Sequence, residues 1–415
     1  MRKLLNSSII TILTLMLFSK IASAEYYSTL PKGVRNFVFK YIGMDSVNSS
    51  YGPSGNEFQY LIHQNLNAKI LEDISSFSKV YFDELKRIAP EAYDSFSFGE
   101  YSGNGQVDIN VKGYGFAYGL TKNITAYVSV PHFTASVNMN IIRTKGNNHQ
   151  EVSSILNQHG VNDDTASLWS QLTNELPDAS GGLFQSVIVN LLGYQPIGAW
   201  NATGFGDTDL AAIFRLTDIR DMGMAITSGI TIPTGRIDDP DILQDFGFGD
   251  GQFDVFSEIG AGLSLFNRVI DLDSSLRYTV QLPSNKLLRV PDSEDFTISA
   301  DKQSFYEKLG NKLDFSIRTT LHPTDWISAY GEFLYNHIDQ ASYDSSNKEA
   351  NRILAIGTEI ETVFLKVGAE LSTVNLYNSG TMTVPLAFEL SAQTMMRGQN
   401  TPKYTRYDIG VKLYF

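Results

Sequence analysis

Arg406-Tyr407-Asp408-Ile409-Gly410-Val411-Lys412-Leu413-Tyr414-Phe415, the last ten residues, put an apolar side chain at every second position: Tyr407, Ile409, Val411, Leu413 and Phe415. Neighbouring side chains of a strand point to opposite faces, so one face of this segment meets an apolar medium and the other a polar one. Such alternation closing on a C-terminal aromatic is the pattern of the last strand of an outer-membrane β-barrel, with lipid outside and the lumen inside. The five apolar residues are also expected to be what the barrel-assembly machinery reads.

The opposite end predicts the same compartment. Arg2 and Lys3 precede a mostly apolar stretch, residues 9 to 18, and Ala22-Ser23-Ala24 follows as an A-x-A cleavage site. The reading is a signal peptide over 1–24, cut after Ala24, and a mature chain of 25–415 in the outer membrane of a Gram-negative bacterium. No later segment offers the roughly 20 consecutive apolar residues that a spanning helix needs, which excludes helical membrane proteins. The formal charge is −13, and removing Arg2, Lys3 and Lys20 with the leader makes it more negative still. Nucleic acid is therefore not an expected partner. With 0 cysteines, disulfides, thiolate metal sites and a cysteine nucleophile are ruled out, so stability has to come from a closed hydrogen-bond ladder.

Strand patterns recur from Asn36 to Phe415 with no linker between them, which predicts one domain. From Ile270, one face carries Leu272, Leu276, Tyr278, Val280 and Leu282, and the other Asp271, Asp273, Arg277, Thr279 and Gln281. The preceding strand turns Phe253, Val255, Ile259 and Leu263 outward and Asp254, Glu258 and Ser264 inward. Further strands are expected at 36–44, 107–119, 124–137, 205–216, 222–233, 313–321, 326–335, 351–371 and 382–393. Connections at 121–123, 217–221, 267–268 and 323–324 are short, while those at 45–105, 139–203, 235–250, 284–310 and 340–349 are long. Short turns belong in the periplasm and long loops outside, so the fold class is an all-β, antiparallel, up-and-down transmembrane barrel of 12 strands. The outward parity changes near Thr362, and a hidden turn there would make 14.

Two long loops carry helical periodicity. Leu66, Ile70, Ile74, Phe77, Tyr81, Leu85 and Ile88 recur at helical spacing before Pro90, and Leu168, Leu172, Leu176, Phe184, Val187, Ile188 and Leu191 do so in the second. Helical insertions at about 57–90 and 149–193 follow, as apolar-faced caps or plugs. Phe77, Tyr81, Leu168, Trp169, Phe184 and Ile188 become candidates for capturing a small hydrophobic ligand outside the membrane.

Chemistry is sparse. The six histidines never stand at metal-ligand spacing, no G-x-S-x-G elbow exists, and the acidic loop Asp238, Asp239, Asp241, Asp245, Asp250 and Asp254 does not match a calcium-binding EF-hand. No enzyme activity, metal or cofactor is expected. Glu258, Asp271, Asp273, Arg277, Asp314, Arg318, Glu332, Glu389 and Lys412 fall on the inward face and are candidates for lining the lumen. Buried charges must be paired or wet, which leaves either an ion-paired, filled barrel or a hydrated channel.

Three segments carry a resemblance: Gly204-Phe205-Gly206-Asp207-Thr208-Asp209-Leu210, then Ile232-Pro233-Thr234-Gly235-Arg236, then Gly247-Phe248-Gly249-Asp250-Gly251-Gln252-Phe253-Asp254. Their order and spacing resemble the outer-membrane family named for the meta-pathway of phenol degradation, similar in plan to long-chain fatty-acid channels. The resemblance implies a channel, here taken as a monomer, for uptake of aromatic or other hydrophobic compounds, touching only outer-membrane lipid, the assembly machinery and its ligand. Two alternatives stand beside it: a surface-anchored binding protein that transports nothing, and a general porin that prefers cations.

Overall fold

A computed structural model describes residues 26–59, 61–72, 76–161, 185–219, 221–291, 294 and 298–415. A closed antiparallel barrel of 12 strands spans most of the chain. Its strands are β1 (Arg35–Met44), β2 (Ser97–Thr121), β3 (Ile124–Lys145), β4 (two segments, Trp200–Phe205 and Thr208–Ile219), β5 (Met222–Ile232), β6 (Asp254–Leu265), β7 (Ile270–Gln281), β8 (Lys312–Thr324), β9 (Ile327–Ile338), β10 (Ile360–Ser372), β11 (Leu386–Gln399) and β12 (Thr405–Tyr414). Each pairs with the next, and β1 closes on β12 from Asn36 opposite Tyr414 to Met44 opposite Arg406. Closure leaves no unpaired edge, which is what a strand in hydrocarbon requires.

The parity of each strand decides what lipid meets. Tyr407, Ile409, Val411, Leu413 and Phe415 are exposed, as are Leu272, Leu276 and Tyr278 on β7, while the alternating Asp408, Lys412, Asp273 and Arg277 are buried. Short turns join β2 to β3, β4 to β5, β6 to β7 and β8 to β9 at one end, the periplasmic end by the loop-length rule.

Three sequence expectations are corrected. The segment 351–371 is not one long strand: Lys348–Ala355 is a helix, begun by the Asn347 side chain, which accepts a hydrogen bond from the Ala350 amide at 3.0 Å. Gly357 at φ +72° then turns the chain into β10. The parity of β10 in fact holds throughout, with the apolar Ile360 and Phe364 facing inward, and the register shift between Val363 and Phe364 leaves its extra residue, Met396, in β11, so no hidden strand is needed. Next, β2 and β3 run well past 107–119 and 124–137, because their outer ends keep the ladder while the polar side chains turn outward and the apolar ones inward. Third, 57–67 is strand (Glu57–Gln59 and Leu61–Asn67), not helix.

Among the described residues the α-helices are α1 (Ala68–Glu72), α2 (Ser76–Ile88), α3 (Pro90–Ser95), α4 (His149–Gln158), α5 (Lys348–Ala355) and α6 (Val374–Asn378). Pro90 opens α3 rather than merely ending a helical run, since its missing N–H costs nothing in a first turn. Helices α1 to α4 bury Phe82, Leu85, Ala92, Tyr93, Val152 and Leu156 against one another at the outer end of β2 and β3.

Candidate functional site: the barrel interior

The interior has two chemically distinct parts. At the outer end, the inward positions of β1, β2 and β3 are Val38, Ile42, Val107, Ile109, Val111, Phe133 and Val137, all buried. They are apolar because they face two loops that fold back into the mouth. Residues 185–199 bring Ile188, Leu192, Tyr194 and Ile197, and residues 235–252 bring Leu243, Phe246 and Phe248. Phe248 stacks on Phe133 with ring centroids 5.1 Å apart, and Phe246 lies 5.1 Å from Trp200. Ile338, Ile360, Phe364 and Met395 complete the wall on the far side. The alternation that marks a lipid-facing strand misses this part, since on the outer ends of β2 and β3 it is inverted, with Val107, Ile109, Val111 and Val137 inward and Gln106, Asp108, Asn110 and Asn138 outward.

Polar pins hold the loops in place. The Arg289 guanidinium is 2% exposed, lies 4.0 Å over the Tyr194 ring, and donates to the carbonyls of Leu192, Gly193, Ser299 and Ala300 and to the Asp241 carboxylate at 2.6 Å. Arg236 grips Asp245 through two bonds of 2.8 and 2.5 Å. Asp207, at the break between the segments of β4, accepts from the amides of Gly235 at 2.9 Å and Asp250 at 3.3 Å. The break sits opposite Pro131 of β3, which has no N–H to offer, while the Pro131 carbonyl still accepts from Gly206 at 2.9 Å. The acidic loop is therefore occupied with internal cations: Asp241 also pairs with Lys302 and Asp254 with Lys312.

The remaining inward positions, from the outer-end residues Arg406, Asp408 and Asp314 to Asp271 near the periplasmic turns, form a mesh of ion pairs and hydrogen bonds. Asp408 meets Arg406 at 2.5 Å, Lys40 at 3.0 Å and Lys366 at 3.4 Å. Glu332 accepts from Arg318 at 2.9 Å, Lys412 pairs with Glu370 at 2.9 Å, Arg277 with Asp209 at 3.7 Å, and His322 with Asp271 at 2.7 Å. Tyr330 donates to Glu389 and Asn336 to Asp314. Of the two outcomes left open by the sequence, the described residues form the ion-paired, filled interior.

The N-terminal segment completes the filling. The Tyr26 phenol donates to Glu332 at 2.5 Å and accepts from Ser316 at 3.1 Å, and Leu30 donates its amide to Thr125 at 2.7 Å. Room for this segment comes from glycines on the inward face: a Cβ at Gly260 would lie 2.3 Å from the Tyr26 carbonyl, and one at Gly223 2.1 Å from the Tyr27 ring. The sequence signal was there, as small residues at inward positions among bulky outward ones, but nothing in the strand pattern says what fills the space.

All nine candidate lumen residues, Glu258, Asp271, Asp273, Arg277, Asp314, Arg318, Glu332, Glu389 and Lys412, project inward. The two ligand-capture candidates with described side chains lie in different clusters. Ile188 is buried against the barrel's outer half, whereas Tyr81 packs partly buried within the helical cluster. Phe77 lies on α2 with its side chain outside the description, and Leu168, Trp169 and Phe184 lie outside the described residues.

No protein-family model matches the chain, and no curated protein matches it by sequence. Among solved structures it is similar to an outer membrane channel from Pseudomonas putida F1, with a TM-score of 0.52 at 12% identity over 95% of this chain and 100% of that one. The fold is thus that of an outer-membrane barrel. Slighter likenesses include the Ralstonia pickettii toluene transporter TbuX and a Pseudomonas aeruginosa FadL homologue, at TM-scores of 0.36 and 0.33 and 9% and 8% identity, over 93% and 92% of this chain and 90% of each.

Proposed function

We propose that this protein is an outer-membrane channel that takes up small hydrophobic, including aromatic, molecules. The observation that carries the reading is the apolar cluster of the interior, where Phe133, Trp200, Phe246 and Phe248 meet under loops that reach in from outside. Mostly apolar linings with a few fixed polar groups suit such ligands, and a cluster of aromatic rings offers edges and faces on which an aromatic ligand can pack. The ion-paired mesh argues against a general porin, which would need a wet constriction. On this reading Ile188 belongs to the capture surface, and the nine inward charges line the closed passage rather than an open pore. The chain acts as a monomer, performs no catalysis, and enters the membrane through its terminal strand and the barrel-assembly machinery. The resemblance to the phenol-degradation family supports aromatic ligands.

The test is binding of 1-N-phenylnaphthylamine to the purified protein in lipid nanodiscs. Saturable fluorescence enhancement, weakened at least tenfold by Phe248→Asp, is expected. Enhancement equal to that of empty nanodiscs would leave the barrel as an anchor for a surface-binding protein.

A further inference from the structure

The outward surface of β2 and β3 changes character in a fixed order from the turns to the outer end. Tyr118 and Phe116 on β2 and Val128 on β3 are exposed and apolar, part of the lipid-facing belt. The next outward pair above this belt is Lys112 opposite His132, with Lys112 exposed. Beyond it stand Asn110 opposite Thr134, Gln106 opposite Asn138 and Asn104 opposite Asn140, all exposed, neutral and able to hydrogen-bond. Asp108 lies in the same column, where its carboxylate accepts from Ser46 and Gln106.

The length of these strands raises this surface clear of hydrocarbon. β2 has 25 residues and β3 has 22, against 10 in β1 and 12 in β6. A tilted strand crosses the membrane in about 9–11 residues, so roughly ten at the outer end of each stand above it. The opposite face of this extension is covered, with Tyr101, Val107 and Met139 buried. The amides of Asn104, Asn138 and Asn140 bond to no described side chain. Among the described residues nothing breaks the continuity between belt and amide rows, so whatever lipid occupies the belt presents its head group to Lys112 and whatever lies beyond to the amides.

We propose that this face binds the glycolipid of the outer leaflet, with acyl chains on Phe116 and Tyr118, a sugar phosphate at Lys112, and the oligosaccharide on the rows Asn104–Asn140 and Gln106–Asn138. Side-chain amides offer donors and acceptors together, which matches sugar hydroxyls. A protein partner would call for aromatic or arginine anchors among the amides, and the outward positions Asn104 to Asn110 and Thr134 to Asn140 carry none, the aromatic Tyr41 and Phe205 lying lower, beside Lys112 and His132.

Native mass spectrometry of the purified protein, titrated with lipopolysaccharide carrying a complete core oligosaccharide and separately with lipid A, decides it. The expected result is at least tenfold tighter binding of the core-bearing glycolipid. Combined Asn104→Ala, Asn138→Ala and Asn140→Ala removes that preference while lipid A binding stays, and Lys112→Ala weakens both. Equal binding of the two glycolipids by the wild-type protein, or a preference that survives the triple substitution, overturns the proposal. The wild-type comparison stands alone if the variants fail to fold.

Discussion

Asp207 ties the break in β4 to the loop 235–252, and Gly249 is required beneath it, since a Cβ there would lie 2.2 Å from the carboxylate. Burial, with Asp250 adding its negative charge and the bonds from Gly235 and Asp250 opposing, pushes the Asp207 carboxyl up to about 7. An acid raised in this way favours the docked loop fully below its ordinary value of 3.8, and the contribution is lost as pH rises through about 7. Hydrogen exchange of the amides in 235–250 is therefore expected to quicken between pH 5 and 8, and Asp207→Asn to flatten that dependence; an unchanged slope in the variant would place the titration elsewhere. Arg289→Ala strands four carbonyls and Asp241, and is expected to cost about 3 kcal/mol of loop stability, read as faster exchange in 185–199 and 235–250 with the barrel still heat-modifiable on gels. At this scale the sequence disclosed direction but not partnership. Strand parity placed Arg318 and Glu332 inward, yet the joining of Asp408 to Arg406, Lys40 and Lys366 depends on register from β10 through β11 and β12 to β1.

Among the elements, the N-terminal segment has the clearest mechanical consequence. It lies across Gly223, Gly260 and Gly262 and bonds to Glu332, Ser316 and Thr125, filling space that the strands leave empty. Deleting 26–31, or substituting Gly260→Leu, is expected to raise ion conductance in planar bilayers several-fold over the wild type; unchanged conductance would mean the ion-pair mesh alone seals the barrel. Strands with one lipid face and one lumen face, such as β7 and β12, were legible because each side chain reports its medium. The outer ends of β2 and β3 were not, because there the outward face leaves hydrocarbon and the period-2 pattern is inverted, with Asn110 and Asn138 outward and Ile109 and Val137 inward. The same reason hid α5, whose apolar residues Ile353 and Leu354 pass for the start of the strand that follows.

For the whole molecule, closure and membrane placement follow from the alternation of lipid-facing and inward residues, and the strand number from the alternation of short turns and long loops. What the sequence could not convey is that the interior holds an apolar cluster beside its charges, because that depends on which loops fold back into the mouth. The consequence is a barrel that presents grease to whatever enters from outside and sealed charge beside it. Uptake of a radiolabelled aromatic hydrocarbon by cells carrying the protein, against cells carrying the Phe248→Asp variant and cells carrying none, tests this most directly. The wild type is expected to accelerate uptake well above both controls; the same rate in all three would contradict the channel.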